Sequence, residues 1–319
     1  MDYVTRINEA LRCELASKDS TVVYGQNVNA GSRLGGLAKD FTSVPGCRVI
    51  NTPNTENSLV GMGFGLMLSG VPSMYVMKQQ DFVLLGVDHL VNTWNALRSR
   101  GPFVPFVMAM IVVDSGWEGP QSSFNNTGGL SALSRIPAYQ PTGAAEIPLA
   151  IAGAFVGGPA ILAVSQRMFR TTPISGGDEV VVESFESYVV YRPVEAGSQT
   201  AVVIARNFSL QQAWELCDAV PDEVLGVTVV SYFKYERIPD QVIVGLCQTA
   251  DRVIIVDDDK SSPDGLDPFE LELIRQIPGL TVSSLTRNDA ERWMYPNEDL
   301  PAWGSEVWLD IKMDANVHR

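Results

Sequence analysis

Histidine and cysteine are scarce in this chain of 319 residues. There are two histidines, His89 and His318, and four cysteines, none of them in a Cys-x-x-Cys pair. So few histidines argue against a histidine-based metal site, and we expect no metal ligands in this chain. Cysteines this sparse are typical of reduced thiols rather than of a disulfide framework. We therefore expect a cytoplasmic protein without structural disulfides.

The chain has no stretch that we expect to span a membrane. Its first residues lack the basic start and the apolar run of a signal peptide. Residues 57–77 carry no charged side chain and are long enough to cross a bilayer, but they contain four glycines and Pro72. Because residues 69–72 are typical of a turn, this stretch is predicted to be a buried helix followed by a central strand.

A surplus of positive charge is also lacking. The chain carries 23 Lys and Arg against 37 Asp and Glu, a formal net charge of −14. Residues 1–175 hold 12 basic and 11 acidic side chains, whereas the remainder holds 11 and 26. Neither part has the basic surplus that phosphate binding needs, which argues against a nucleic-acid partner. The change in charge near the Ser175-Gly176-Gly177 run indicates a domain boundary.

The apolar pattern predicts strands that alternate with helices in both parts of the chain. Residues 103–113 are almost continuously apolar, as in a strand that is buried on both faces of a sheet. We therefore predict an α/β fold with mainly parallel sheets in two domains. The predicted domains cover residues 1–175 and 199–319, with a linker over residues 176–198.

The pattern near the middle of the first domain is the clearest. It predicts helices over Glu56–Leu68 and Phe82–Leu97 on either side of a strand over Ser73–Met77, and a loop over residues 116–129. The glycines within residues 61–65 suggest a dinucleotide fingerprint. However, they fall inside a predicted helix, and Leu66 stands where the third glycine should be. We interpret them as small residues that let two helices pack closely.

Three consecutive carboxylates, Asp257-Asp258-Asp259, follow a predicted strand in the second domain. They could hold a cation, because carboxylate oxygens are ligands for hard metal ions. The interpretation that we favour is a solvated loop with three adjacent charges.

Glu56 is the only carboxylate between Asp40 and Asp81, and its neighbours are apolar or small. In the first turn of a predicted helix, a glutamate can simply complement the helix dipole. Alternatively, Glu56 is a buried acid that shares a proton with a heterocyclic ligand. Spacing alone favours the structural role.

The sequence around Glu56 resembles a known enzyme family. Asn51-Thr52-Pro53-Asn54-Thr55-Glu56 precedes a glycine-rich helix and then Asp81-Phe82 and Asp88-His89-Leu90-Val91-Asn92. These runs are similar to Asp-Thr-Pro-Ile-Ser-Glu, Asp-Phe and Asp-Gln-x-x-Asn in the beta subunits of the pyruvate dehydrogenase type of 2-oxo-acid dehydrogenase first component. That family uses thiamine diphosphate and is grouped with the transketolases. The resemblance implies a transketolase-like pyrimidine-binding domain followed by a transketolase C-terminal-like domain.

The resemblance also implies the residues of a site. Glu56 matches the catalytic glutamate that hydrogen-bonds the aminopyrimidine ring of thiamine diphosphate, and Phe82 matches the aromatic residue that stacks on that ring. Gln80 is a further cofactor-binding candidate, and Gln121 and Ser122 are candidates on the substrate side. A proton shared with the ring nitrogen makes the amino group of the ring able to exchange protons with the thiazolium carbon.

Half of the expected site is missing from the chain. Enzymes of this group hold the diphosphate and Mg²⁺ with a Gly-Asp-Gly motif, which does not occur anywhere in this sequence. The resemblance therefore implies an alpha-type partner that carries the motif and provides most of the Mg²⁺ site. It also implies a two-plus-two heterotetramer with sites at the interfaces.

Two departures from the family pattern affect the expected activity. Ser122 stands where the family has a histidine that assists acyl transfer to a lipoyl group, and Gln26-Asn27 replaces a Glu-Asp pair. The leading prediction is decarboxylation of a 2-oxo acid and transfer of the two-carbon unit to an acceptor, such as a lipoyl or acyl-carrier partner. The alternatives are a transketolase-like ketol transfer without decarboxylation, in specialised biosynthesis, and a non-catalytic structural subunit.

Overall fold

The computed structural model describes residues 1–114, 125–177, 180–194, 200–218, 226–258 and 267–286. Within these residues the chain forms two six-stranded sheets with helices packed against them, which confirms the predicted α/β class with mainly parallel sheets. The helices are α1 (Tyr3–Ala16), α2 (Glu56–Leu68), α3 (Trp94–Leu97), α4 (Thr127–Ser134), α5 (Glu146–Ala154), α6 (Leu210–Asp218), α7 (Gln241–Thr249) and α8 (Pro268–Gln276).

The first sheet is entirely parallel. Its strands are β1 (Thr21–Gly25), β2 (Cys47–Asn51), β3 (Ser73–Met77), β4 (Pro105–Val112), β5 (Ala138–Tyr139) and β6 (Gly158–Ser165), in the order β2-β1-β3-β4-β6-β5. Every residue of β3, β4 and β6 is buried. This agrees with the nearly continuous apolar sequences of these strands, which are typical of strands covered on both faces of a parallel sheet. Side chains of α1 and α5 contribute to one core cluster, and those of α2 contribute to the other.

The second sheet is mixed. Its strands are β7 (Val180–Ser184), β8 (Tyr188–Pro193), β9 (Thr200–Arg206), β10 (Gly226–Tyr232), β11 (Arg252–Asp257) and β12 (Val282–Thr286), in the order β12-β11-β9-β10-β8-β7. The four strands from β9 to β12 run parallel, and β8 and β7 add antiparallel strands at one edge. The core cluster beside α1 continues from Tyr139 of the first sheet to Tyr191 of the second.

Three predictions about local structure are wrong. Residues 176–198, predicted to be a linker, contain β7 and β8, because their valines and tyrosines favour paired strands. The predicted helix over Phe82–Leu97 consists of 3₁₀ turns over Gln80–Gly86, a π-helical turn over His89–Thr93 and α3. Part of the loop predicted over 116–129 is the start of α4, because Asn126 caps that helix despite the glycine pair that follows. The domain boundaries themselves stay predictions.

The glycines of α2 confirm only in part that they let two helices pack closely, since Gly61 faces the π-helical turn but Gly63 faces strand β4. A Cβ on Gly61 would lie 2.9 Å from Nε2 of His89, and one on Gly63 would overlap the ring of Phe106 in β4. Gly65 faces open space. Two of the three glycines therefore allow the helix to approach its neighbours closely.

We expect Gly63→Ala to lower the free energy of unfolding by about 1–3 kcal/mol, because the added methyl group must displace a buried aromatic ring. Gly65→Ala is the matched control in the same helix and should be neutral or stabilising by up to about 1 kcal/mol. Urea denaturation of both variants measures the difference. Equal effects would contradict the close packing at Gly63.

The interpretation of the carboxylates at the end of β11 as a solvated loop is wrong for Asp258. Asp258 is 1% exposed, and its carboxylate lies 3.1 Å from the guanidinium of Arg167. Arg167 follows β6, a strand of the first sheet. Asp257 lies 3.7 Å from Arg206, and Asp259 lies outside the described residues. Among the described residues, no group of three or more His, Cys, Asp or Glu side chains could hold a metal ion. In the same part of the chain, no helix has the length and apolar character to cross a membrane.

Candidate functional site

The candidate site lies at the carboxyl edge of the first sheet, where β1, β2 and β3 end side by side. Ligands of open parallel sheets bind beyond this edge. Directly after β2, the amide of Thr52 donates to the carbonyl oxygen of Gly25, the last residue of β1, at 3.0 Å. Four residues later α2 begins, and its first residue is Glu56. The fold therefore places Glu56 at the position where a ligand of the sheet would lie.

Glu56 is 7% exposed. Within the described residues, its carboxylate accepts no hydrogen bond, and the side chain of the residue before it, Thr55, does not cap the helix. Burial raises the pKa of Tyr75 on β3, and the negative charge of Glu56 nearby raises it further. A nearly buried carboxylate that accepts no hydrogen bond from the described residues leaves its acceptor positions to water or to a ligand that donates a hydrogen bond.

Two stacked tyrosines support the first turn of α2. Tyr24 on β1 and Tyr75 on β3 are register partners, and their ring centroids lie 5.2 Å apart with the rings parallel. The hydroxyl of Tyr24 donates to the carbonyl oxygen of Leu59 at 2.9 Å. These contacts fix the helix turn that carries Glu56 to the sheet.

Phe82 lies in the segment that packs against this same turn. A Cβ on Gly86 would lie 2.7 Å from Val60 and 3.4 Å from the carbonyl oxygen of Glu56, so the segment Gln80–Gly86 touches the start of α2. Phe82 itself is half-buried and packs against the core cluster that contains Leu59 and Phe64. The structure therefore brings the elements that carry Glu56 and Phe82 into direct contact.

Gln80 is fully buried, and both ends of its amide are engaged within the chain. Its Nε2 donates to the hydroxyl of Thr127 at 2.7 Å, and its Oε1 accepts from the amide of Asn126 at 3.1 Å. Gln80 thus joins the end of β3 to the start of α4. Its contact with a cofactor stays a prediction.

The two substrate-side candidates, Gln121 and Ser122, lie outside the described residues. The structure instead shows a pair that the sequence analysis missed: Asn29 and Asn51, whose side-chain amides are joined by a hydrogen bond beside the end of β2. The backbone amide of Asn29 also donates to Oδ1 of Asn51 at 3.2 Å. Asn51 is the last residue of β2, at the edge of the sheet where the site lies. That position in the sequence is the feature that could have identified it as a candidate site residue.

Several known proteins are similar to this chain, although no family model matches it. The pyruvate dehydrogenase E1 component subunit beta of Staphylococcus epidermidis is 21% identical, with 98% of this chain and 96% of that protein covered. The chain resembles such beta subunits over nearly its whole length. The counterpart from Acholeplasma laidlawii is 22% identical over 78% of this chain and 77% of its own. A 2-oxoisovalerate dehydrogenase subunit beta from Chaetomium thermophilum is 31% identical, over 31% of this chain and 21% of its own length.

Two solved structures share the fold of this beta-subunit-like chain. One is described as a split gene transketolase, an inactive beta4 tetramer, with a TM-score of 0.63, 17% identity and 89% of this chain and 88% of its own covered. The other is a 2-oxoglutarate:ferredoxin oxidoreductase from Magnetococcus marinus, with a TM-score of 0.60, 11% identity and 98% of this chain and 64% of its own covered. At these identities the likeness shows a transketolase-like α/β fold.

Proposed function

We propose that this chain is the beta-type subunit of a thiamine-diphosphate-dependent enzyme that decarboxylates a 2-oxo acid and transfers the two-carbon unit to an acceptor. The observation that carries the proposal is the carboxylate of Glu56, nearly buried and without a hydrogen-bond partner in the described chain. It begins a helix whose first turn touches the segment of Phe82. A carboxylic acid and an aromatic ring carried by two elements in contact fit an aminopyrimidine, which offers a ring nitrogen and a flat face.

In this proposal, Glu56 holds a proton on its carboxyl group against a ring nitrogen of the cofactor, and Phe82 packs against the ring face. Tyr24 and Tyr75 hold the turn of Glu56 in place, and the surrounding apolar side chains exclude water. When bound, thiamine diphosphate supplies the carbon nucleophile that attacks the carbonyl group of the substrate and the electron sink that accepts its electrons. Positioned acid–base groups of this kind typically contribute about a hundredfold to ten-thousandfold to a rate.

The remainder of the cofactor site must come from a second polypeptide in this proposal. The sequence lacks Gly-Asp-Gly, and the described residues contain no cluster of acidic, histidine or cysteine side chains for Mg²⁺. We infer an alpha-type partner that supplies the diphosphate site and most of the Mg²⁺ ligands, in a two-plus-two heterotetramer. Beta subunits with similar sequences support this inference.

A second candidate is ketol transfer without decarboxylation. It is favoured by Ser122, which cannot supply the imidazole that the resemblance associates with transfer to a lipoyl group, and by Gln26-Asn27, which removes two carboxylates after β1. With either activity, the acceptor would approach the carboxyl edge of the first sheet, where Glu56 lies.

The two activities are separated by assaying the complex of this chain with its alpha-type partner, thiamine diphosphate and Mg²⁺. We expect CO₂ release from pyruvate labelled at the carboxyl carbon and no cleavage of ketose phosphates. Cleavage of ketose phosphates without CO₂ release would replace decarboxylation by ketol transfer. If a complex that binds the cofactor carried out neither reaction, both candidate activities would be contradicted for these substrates. That result would favour the structural subunit.

A further inference from the structure

A buried polar cluster joins the two sheets next to the candidate site. It consists of Asp114, which follows β4, Asn125, which precedes α4, Arg167, which follows β6, and Asp258, which follows β11. Asp114 and Asp258 are each 1% exposed, and Asn125 is fully buried. Residues from both sheets therefore meet at one point within the fold.

Arg167 holds the two carboxylates together. Its guanidinium donates to Asp258 at 3.1 Å and to the carbonyl oxygen of Phe208 at 3.2 Å, and its backbone amide donates to Asp114 at 3.0 Å. Burial lowers the pKa of Arg167, but the charges of Asp114 and Asp258 more than offset that effect, so its pKa is raised. Because the arginine stays charged, Asp258 is fixed against the first sheet.

Asn125 connects this cluster to the candidate site. Its Nδ2 donates to the backbone carbonyl oxygen of Asp258 at 2.9 Å. The next two residues, Asn126 and Thr127, make the two hydrogen bonds that hold Gln80. Gln80 in turn begins the segment that carries Phe82 and touches the turn of Glu56. A continuous series of hydrogen bonds and short backbone steps thus runs from the second sheet to the site.

We propose that Asn125 is a positioning residue, through which the second sheet fixes the start of α4 and, through Gln80, the placement of Phe82 beside Glu56. The proposal rests on the proposed function only where it concerns cofactor binding. Its structural part, the order of Gln80–Gly86, holds for the chain alone. Asn125 makes no contact with the reacting groups in this account.

The chain offers a matched control. Gln140, which follows β5, is 3% exposed, and its Nε2 donates to the side chain of Asn207, which follows β9. Gln140→Ala therefore also removes one buried amide hydrogen bond between the two sheets. Among the residues that the structure describes, no hydrogen bond joins Gln140 to Gln80, so only Asn125→Ala should affect the site.

The first test is hydrogen exchange of the full-length chain, read by mass spectrometry in peptides that cover Gln80–Gly86. We expect faster exchange there in Asn125→Ala and wild-type exchange in Gln140→Ala. Asn125→Leu keeps roughly the size of the side chain but has no group that could donate to the carbonyl oxygen of Asp258, so it should behave like the alanine variant. Unchanged exchange in both Asn125 variants, or equal changes in Gln140→Ala, would overturn the proposal.

The second test uses the complex with the alpha-type partner. Asn125→Ala should raise the apparent KM for thiamine diphosphate about tenfold, with kcat little changed, whereas Gln140→Ala should leave that KM unchanged. An equal rise of this KM in both variants would show that Asn125 has only a structural role. If the wild-type complex binds no thiamine diphosphate, the proposed function fails, and the exchange measurement still decides the role of Asn125.

Discussion

Glu56→Gln is expected to reduce turnover of the reconstituted enzyme by about a hundredfold to ten-thousandfold and to leave the fold intact. Glutamine keeps the size of the side chain and can accept a hydrogen bond, but it cannot hold and release a proton. Because the carboxylate accepts no hydrogen bond from the described residues, its replacement breaks no hydrogen bond among them. Stability should change by less than about 1 kcal/mol, the effect of one charge at a helix N-terminus. Steady-state kinetics and thermal unfolding of the same preparation provide both numbers.

Glu270→Gln is the matched control for this experiment. Glu270 lies in the first turn of α8 and is 6% exposed, so it resembles Glu56 in burial and in its place on a helix. Unlike Glu56, it accepts a hydrogen bond from Ser284 at 2.6 Å. Turnover should be unaffected by this variant. Near wild-type turnover in Glu56→Gln would show that the acid is not needed, and the assignment of Glu56 would be wrong.

Arg167→Leu should destabilise the chain by about 3–5 kcal/mol, the largest stability effect that we expect from a single substitution. The side chains of Asp114 and Asp258 are both 0% exposed, and each forms an ion pair with Arg167. Removing the guanidinium takes this ion pair from two buried carboxylates at once. Arg167→Lys keeps the positive charge, but an ammonium group cannot donate to both Asp258 and the carbonyl oxygen of Phe208 in the geometry of the guanidinium. It should therefore lower the free energy of unfolding by less than Arg167→Leu does. Urea denaturation at neutral pH gives both values.

Arg170→Leu serves as the control for Arg167. Arg170 is three residues away, its side chain is 78% exposed, and it lies 3.6 Å from Asp2. A surface ion pair of this kind contributes at most about 1 kcal/mol, so the substitution should be nearly neutral. If Arg167→Leu were equally mild, the cluster between the sheets would not depend on its charge balance, and the argument from burial would fail.

The sequence predicted the elements around Glu56 well because local signals agree there. The bounds of α2 and β3 were predicted to the residue, since Pro53 and the turn before Ser73 interrupt the apolar pattern on either side. The burial of Glu56 also follows from its apolar neighbours. That its carboxylate is left without a partner depends on which side chains come near in the folded chain, and no local pattern shows this.

Other parts could not be predicted because they depend on distant contacts. Asp258 was interpreted as one of three solvated charges, but its partner Arg167 is 91 residues away in the sequence. Gln80 was predicted only as a cofactor contact, whereas Asn126 and Thr127, which bind its amide, are 46 and 47 residues further along. The strands β7 and β8 lie within the predicted linker, because that prediction rests on the glycines and the change in charge near residue 175. β8 pairs with β10, and β7 pairs with β8; the local sequence does not show the contact with β10, which lies more than 30 residues further along the chain.

The central claim is that this chain supplies the pyrimidine half of a thiamine diphosphate site and a partner supplies the other half. Calorimetric titration of thiamine diphosphate with Mg²⁺ into three samples tests it: the purified chain, the alpha-type partner, and their complex. We expect saturable binding at micromolar concentration or below in the complex, and weak or no binding in either chain alone. Micromolar binding by the purified chain, or no binding by the complex, would contradict it.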